Sequence, residues 1–442
     1  MMGMGKPQIK EKNAIVKVLR MVGQNMGLLK YCSKYFLPAL CRSESLPEYT
    51  SFLYDQQITR NHSGETQKNV SFSVENETFS GYKQFEKANP GYKIDVMVIA
   101  EDQYSAKINQ MISTNTAPDI VLAWECDIPN FVANNKIVSL DSYLQKSEKV
   151  NPDDFIPAVK EMSDQFGGNY ALPWCYASEI LFYNKDMFDA AKVEYPTNEW
   201  TMEDFVDAAE KLTIVDESGR VQQYGCDGLS FVGGWWSGIG AAGDPVYEDG
   251  KLVIGDGAKK FLTTQKYLVD NQISPAPSAE SSDLFASGMA AMTRTGSWFL
   301  GTYKDLEFNW DIAPQPKDAR FYNSLHTGMW CIPESTEDKD AAWKVLEWCM
   351  SKDGQTVLSK SSGNISVTKS IAEEGAWKVQ GTNGPSNWDA FDVISDSGVF
   401  GYVCLPAGLT GDAVKQFEAA VLGQKSIDDA VAEVQAAAED FS

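Results

Sequence analysis

Lys93-Ile94-Asp95-Val96-Met97-Val98-Ile99, then Gln103–Ser113, then Ala117-Pro118-Asp119-Ile120-Val121-Leu122-Ala123-Trp124, is the stretch whose pattern decides the fold. Ile94, Val96 and Val98 recur at every second position, the period of a strand that buries one face. Gln103–Ser113 carries a helical pattern. Asp119–Trp124 is a short, continuous apolar run of the kind a buried parallel strand carries. Upstream, Val70–Val74 alternates as a strand, and Phe79–Lys87 reads as a helix stopped by Asn89-Pro90-Gly91. Strand, helix, strand, helix, strand is the order of a parallel α/β sheet.

Further along, helix starts are marked by capping sequences. Thr201-Met202-Glu203-Asp204 opens a helix to Leu212, and Ser335-Thr336-Glu337-Asp338 opens one with Ala342, Val345, Leu346 and Cys349 on one face. Ser426-Ile427-Asp428-Asp429 opens the last. No fixed-period repeat is visible. The 442 residues exceed one compact core and suit two lobes of ~150–200 residues each.

The formal net charge of −23 argues against nucleic-acid binding, which needs basic stripes to replace phosphate counterions. It also disfavours an anionic substrate. Twelve tryptophans exceed ordinary core supply and leave rings available for stacking on a ligand. None of the eight cysteines forms a C-x-x-C pair, so the expectation is thiols, mostly buried, and no metal or redox centre. With two histidines, His62 and His326, no catalytic triad or zinc site is visible, and His326 reads as structural. No cofactor is expected.

Residues 1–67 stand apart. Lys6, Lys10, Lys12, Lys17, Arg20, Lys30, Lys34 and Arg42 face one acid, Glu11, within the first 42 positions. Ala14–Leu29 has near-helical apolar spacing, and Asn61–Asn69 reads as a linker. The segment is expected to be a poorly ordered or helical extension. It has the basic start of an export signal, but charges interrupt the apolar stretch. Pro38-Ala39-Leu40-Cys41 is an imperfect copy of a bacterial lipidation site, which would anchor the chain at Cys41.

A series of short motifs then falls in a fixed order. Ala117-Pro118-Asp119-Ile120-Val121 precedes Trp124 and Val138-Ser139-Leu140-Asp141. Gly168-Asn169-Tyr170-Ala171-Leu172-Pro173-Trp174 and Leu181-Phe182-Tyr183-Asn184-Lys185-Asp186-Met187-Phe188 follow. Phe285–Met292, Gly296-Ser297-Trp298, Pro314-Gln315-Pro316, Gly328-Met329-Trp330 and Ala341-Ala342-Trp343-Lys344 complete it. The series resembles the family 1 extracellular solute-binding proteins, the maltose-binding-protein-like sugar receptors of ABC transporters, over about residues 70–442. The resemblance implies a two-lobed, periplasmic-binding-protein-like (type II) α/β fold with three hinge crossings, near Cys175–Ser178, Asn309–Ile312 and Asn364–Val367. Lobe 1 would be 68–176 with 312–364, and lobe 2 would be 177–311 with 365–442. It also implies an extracytoplasmic monomer that binds a carbohydrate, does no chemistry on it, and hands it to the transmembrane subunits of an ABC permease.

Sugars present apolar C–H faces and rings of hydroxyls, so their sites need flat aromatic platforms and polar side chains. Ligand-facing groups in open α/β sheets sit at the carboxyl ends of strands. Trp124-Glu125 follows one strand, and Glu75-Asn76 follows another. Trp174 and Tyr176 alternate with Cys175 where the chain should first cross. Gly233-Gly234-Trp235-Trp236 reads as a loop in which one of two adjacent indoles is exposed. The nearby Gly238-Ile239-Gly240-Ala241-Ala242-Gly243 matches a dinucleotide-binding pattern, but no strand precedes it, so that reading is rejected. By resemblance, Arg294, Trp298 and Trp330 complete the site. Two rivals are a glycoside-acting enzyme, whose paired carboxylates any acid-rich chain could supply, and a binder of polyamines or other cations at Glu75, Glu125 and Asp127.

Overall fold

The computed structural model describes residues 68–439, apart from 75–80, 100–102, 230–231, 249–250, 278–282, 363–364, 379–380, 401–404 and 406. The expectations for residues 1–67, including Cys41 and the linker, lie outside the described residues, as does Glu75.

Two layers of strands organise the described residues, the first made of a two-stranded and a three-stranded sheet side by side, the second of one five-stranded sheet. In the first, β1 (Lys68–Val74) pairs in parallel with β2 (Tyr92–Val98), joined by α1 (Gly81–Ala88). Helix α2 (Tyr104–Ser113) leads into β3 (Val121–Trp124). The Ile120 amide donates to Ser71 O, and Asp119 accepts from both the Ser71 amide and hydroxyl, at 2.8 and 2.6 Å, so β3 starts beside β1. β4 (Leu172–Pro173) and a later strand complete this side. The opening strand–helix alternation is as read, because its apolar positions fall on one side of each element: Ile94 in β2, Ile108 and Ile112 in α2, Val121 and Leu122 in β3 are all buried.

The second sheet is built on β5 (Ala177–Asn184), buried along all eight residues. A strand covered on both faces must be apolar on both. Ile180 and Phe182 pack into one hydrophobic cluster, while Leu181 and Tyr183 pack into another with Phe188, Phe205 and Leu212. β6 (Met292–Gly296), β7 (Trp310–Ala313) and β8 (Asn323–His326) all pair antiparallel to β5. Helix α3 (Met202–Leu212) opens with the expected capping box: Thr201 and Asp204 exchange side-chain-to-backbone hydrogen bonds.

The Gly-Gly-Trp-Trp segment is not a loop. It lies inside α4 (Val232–Ala241), an almost wholly apolar helix that packs against β5, β8, α5 (Asp256–Asp270) and a later helix, α6 (Ala407–Val421). Trp235 and Trp236 are both fully buried, at 1 % and 0 % exposure, so the expected exposed indole is overturned. The sequence reading assumed one buried face, whereas a helix at the centre of its layer has none exposed. The glycines of the pattern serve close packing. A Cβ at Gly238 would meet the Phe261 ring at 2.0 Å, and one at Gly240 would meet Tyr322 at 2.5 Å.

The chain passes between the sheets first at Trp174–Tyr176, from β4 to β5. It passes back at Thr327, between β8 and β9 (Gly328–Cys331), which pairs with β3 and β4. The expected crossing at Asn309–Ile312 is therefore misplaced: Trp310–Ala313 is β7, inside the second sheet, and Trp310 packs on Phe182 and Tyr303. The two passages lie side by side, clasped by the Thr327 hydroxyl donating to Cys175 O at 2.6 Å. Ile365 bridges to Tyr176, within the segment expected to cross third.

Candidate functional site

The passages between the sheets gather the polar and aromatic groups. At the exit of β3, Trp124 is partly exposed and meets Tyr104 edge-on, with ring centres 6.5 Å apart. Glu125 turns inward and is 5 % exposed. Its Oε1 accepts from the Thr327 amide at 3.4 Å, and its Oε2 accepts from no group among the described residues. Asp127 is satisfied locally by Ser105 and Asn109, at 3.0 and 2.9 Å.

Trp174, partly exposed at the end of β4, stacks on buried Trp330, with centres 6.2 Å apart and planes 21° apart. Gly328 makes room for it: a Cβ there would lie 2.9 Å from Trp174 Nε1. Trp298, also partly exposed, sits in the turn after β6. Its six-membered ring lies over Gly296, where a Cβ would fall 2.1 Å from Cζ2. Its edge relation to His326 spans 5.7 Å at 84°.

His326, the last residue of β8, carries the centre of the cluster. Its Nε2 lies 2.7 Å from Oε1 of Glu179, a fully buried acid of β5 whose Oε2 accepts from Ser237 at 2.8 Å. Burial alone would lower the His326 pKa, but the adjoining Glu179 carboxylate outweighs it and raises the value above the ordinary range. Burial pushes Glu125 up to about 7, with His326 pulling the other way. Burial, aided by Glu125, holds the Cys175 thiol well above its usual range.

Of the residues expected to bind, Trp124, Glu125, Trp174 and Trp298 are brought together here, whereas Trp330, 2 % exposed, is buried behind Trp174 as its packing partner and presents no face to a ligand. Tyr176 lies in the same passage but is buried, its hydroxyl bonded to Ser395. Trp235 and Trp236 belong to the α4 core. Arg294 is likewise interior: it donates to Gln265 at 3.0 Å and lies over Phe205 and Phe261. The packing of β6 against α3 and α5 turns it away from the passages, and burial lowers its pKa to about 10.

Sequence reasoning missed Glu179 and the pairing of His326 with it. One signal was present: an acid beside the apolar run Ile180–Tyr183 needs a buried partner. Among the described residues no cluster of His, Cys, Asp and Glu is arranged to hold a metal, and no helix is long and apolar enough to cross a membrane. Cys126, Cys175, Cys226, Cys331 and Cys349 form no disulfide.

A family model described as bacterial extracellular solute-binding protein matches residues 82–432. A putative binding protein of Brucella abortus is 24 % identical over 303 residues, covering 66 % of this chain and 72 % of its own length. Among solved structures, an ABC substrate-binding protein of Listeria monocytogenes in complex with cycloalternan superposes with a TM-score of 0.75 at 20 % identity, over 85 % of this chain and 99 % of its own. The sugar-binding protein MalE of Xanthomonas citri gives 0.72 at 20 % identity, over 84 % and 97 %. These likenesses establish the two-lobed fold.

Proposed function

Because this chain belongs to the bacterial extracellular solute-binding protein family, we propose that it is the extracytoplasmic receptor of an ABC importer and that its ligand is a carbohydrate, an oligosaccharide in particular. The reading rests chiefly on one observation. Partly exposed indoles at Trp124, Trp174 and Trp298 surround a buried acid–imidazole cluster at the passages between the sheets. Indoles offer faces for sugar C–H surfaces, and carboxylates accept from hydroxyls. Among the described residues, no lysine or arginine is paired with Glu125, Asp127 or Glu179, which disfavours an anionic ligand. Sugar ligands in the names of its structural relatives support the same class.

The ligand lies between the lobes, which meet at the passages near Trp174–Tyr176, Thr327 and Ile365. Closure over the ligand presents the receptor, as a monomer, to the permease. Only a ligand that binds the closed form better can shift that equilibrium. Three indole contacts of ~1 kcal/mol each beyond burial, with hydrogen bonds, can reach the about −8 kcal/mol of a micromolar complex.

The test is a thermal-shift screen with maltotriose, mannotriose, cycloalternan, spermidine and sn-glycerol 3-phosphate, followed by calorimetry on each hit. A saccharide binding at micromolar level, unaltered after incubation, is the expected result. Spermidine as the sole ligand would instead support the cation reading that unpaired Glu125 favours. Saccharide turnover would overthrow the receptor reading.

A further inference from the structure

Two buried carboxylates act on one imidazole where the chain passes between its sheets, Glu179 by direct contact and Glu125 through its charge. Glu179 has its partners, His326 on one oxygen and Ser237 on the other. Glu125 does not: its carboxyl meets backbone amides alone, those of Thr327 at 3.4 Å and of Glu125 itself, and its Oε2 meets no donor among the described residues. One imidazolium can balance one carboxylate, and a second buried charge without a partner is costly. Glu125 must therefore hold a proton or be given a donor from outside the protein.

We propose that Glu125, His326 and Glu179 form one proton-sharing triad across the passage between the sheets, and that this triad makes ligand capture proton-linked. Resting on the carbohydrate reading, the step is simple. Hydroxyls of a neutral saccharide donate to Glu125, its carboxyl loses its proton to the solvent, and the ligand's hydrogen bonds take the proton's place. The Glu125 O–H bond is exchanged for one to water or buffer, and no bond of the saccharide changes. His326 and Glu179 act as positioning residues, fixing the charge that Glu125 faces.

The surrounding groups agree. The titratable groups facing Glu125 are His326 from the end of β8, Cys175 from the segment between β4 and β5, and Asp127 from its own turn. Asp127 accepts from Ser105 and Asn109, and the Cys175 thiol stays protonated. His326 faces Glu179 and Glu125, with the Trp298 ring at its edge. Nothing in this set supplies a second cation. An anionic ligand such as a phosphate ester would add repulsion and is rejected.

The direction follows from the acid's position near neutrality. Burial raises the Glu125 pKa to about 7 in the unliganded protein, so it is partly protonated there. A ligand that favours the ionised form lowers that value and releases protons. Affinity therefore rises with pH between 6 and 8, by at most about tenfold per pH unit.

The experiment is calorimetry at pH 6, 7 and 8, in two buffers of different ionisation heat, with whichever of maltotriose, mannotriose or cycloalternan binds. Expected is release of about half a proton per ligand at pH 7, with affinity increasing toward pH 8. In Glu125→Gln both effects should vanish while the melting transition stays cooperative. A bound saccharide with no proton release, or affinity that falls as pH rises, overturns the proposal. If no saccharide binds at any pH, the carbohydrate reading fails, and the triad is judged by the imidazole NMR titration of His326 alone. That titration should lie above the ordinary histidine range and move down in Glu125→Gln. An unmoved titration overturns the triad.

Discussion

Trp298→Ala separates a ligand platform from a packing residue. The indole is partly exposed, folded over Gly296 and set edge-on to His326. Trp236, by contrast, is enclosed in the α4 core. A sugar face covering ~50 Å² of indole is worth ~1.3 kcal/mol at ~25 cal/mol per Å². The ring contributes ~0.5–1.5 kcal/mol more through its specific geometry. The sum, about 2–3 kcal/mol, corresponds to a loss of roughly 30- to 150-fold in affinity. Calorimetry with the best saccharide from the screen reads this directly, and the melting temperature should change little. Gly296→Ala provides a second route to the same end, because its Cβ would fall 2.1 Å from Trp298 Cζ2 and must displace the ring. Both variants should weaken binding while remaining folded. Unchanged affinity in Trp298→Ala would refute the platform and remove that residue from the site.

Trp236→Ala should behave oppositely, costing ~3–5 kcal/mol of stability through the cavity it leaves beside Phe417 while sparing affinity wherever the protein stays folded, as denaturant melts with parallel calorimetry would show. Arg294→Met should keep affinity within about twofold and lose ~1–3 kcal/mol, since the Gln265 hydrogen bond and the guanidinium contacts with Phe205 and Phe261 go; a large loss of binding would return Arg294 to the site. Glu125→Gln should gain stability over the parent as pH rises. Glu125 is an acid whose folded pKa is raised, from 4.5 to about 7, so the folded form holds its proton more tightly than the unfolded one. Its stabilising protonation is present below the unfolded value and is lost as pH climbs toward 7, leaving a penalty of up to ~3 kcal/mol at pH 8 that the amide lacks. Urea melts of both proteins at pH 5 and 8 would show a constant gap if Glu125 were not titrating there.

What could be read from the sequence was local. The opening strands and helices carry their own periodicity, and the Thr201 and Ser426 caps carry their own hydrogen-bond partners three residues on. The cap proposed at Ser335 is shifted to Asp338, which accepts from the Ala341 amide. The misreadings concern groups whose roles are set by distant neighbours. Trp235 and Trp236 are buried by Phe261 and Phe417, far along the chain. Trp310–Ala313 is placed in the second sheet by pairing with β5. Glu179 and His326 stand 147 positions apart, and no spacing rule joins them.

The location of that pair also has a mechanical consequence. Within a core, a buried ion pair would contribute little that hydrophobic packing could not. At the passages, however, two strands leave one sheet for the other together. Thr327 ties them, its hydroxyl on Cys175 O and its amide on Glu125. Any rotation of one lobe against the other is absorbed in a few such residues. The hydrogen bond that Glu125 receives from across the passage therefore comes from a residue that would move. A ligand donor at Glu125 acts on the carboxylate and, through it, on Thr327, so capture and closure share one atom-level contact. Thr327→Val should test this separately from the triad. It keeps the amide and removes the hydroxyl's contacts with Cys175 O and Gly328 O, so saccharide affinity should shift while the pH dependence of binding persists.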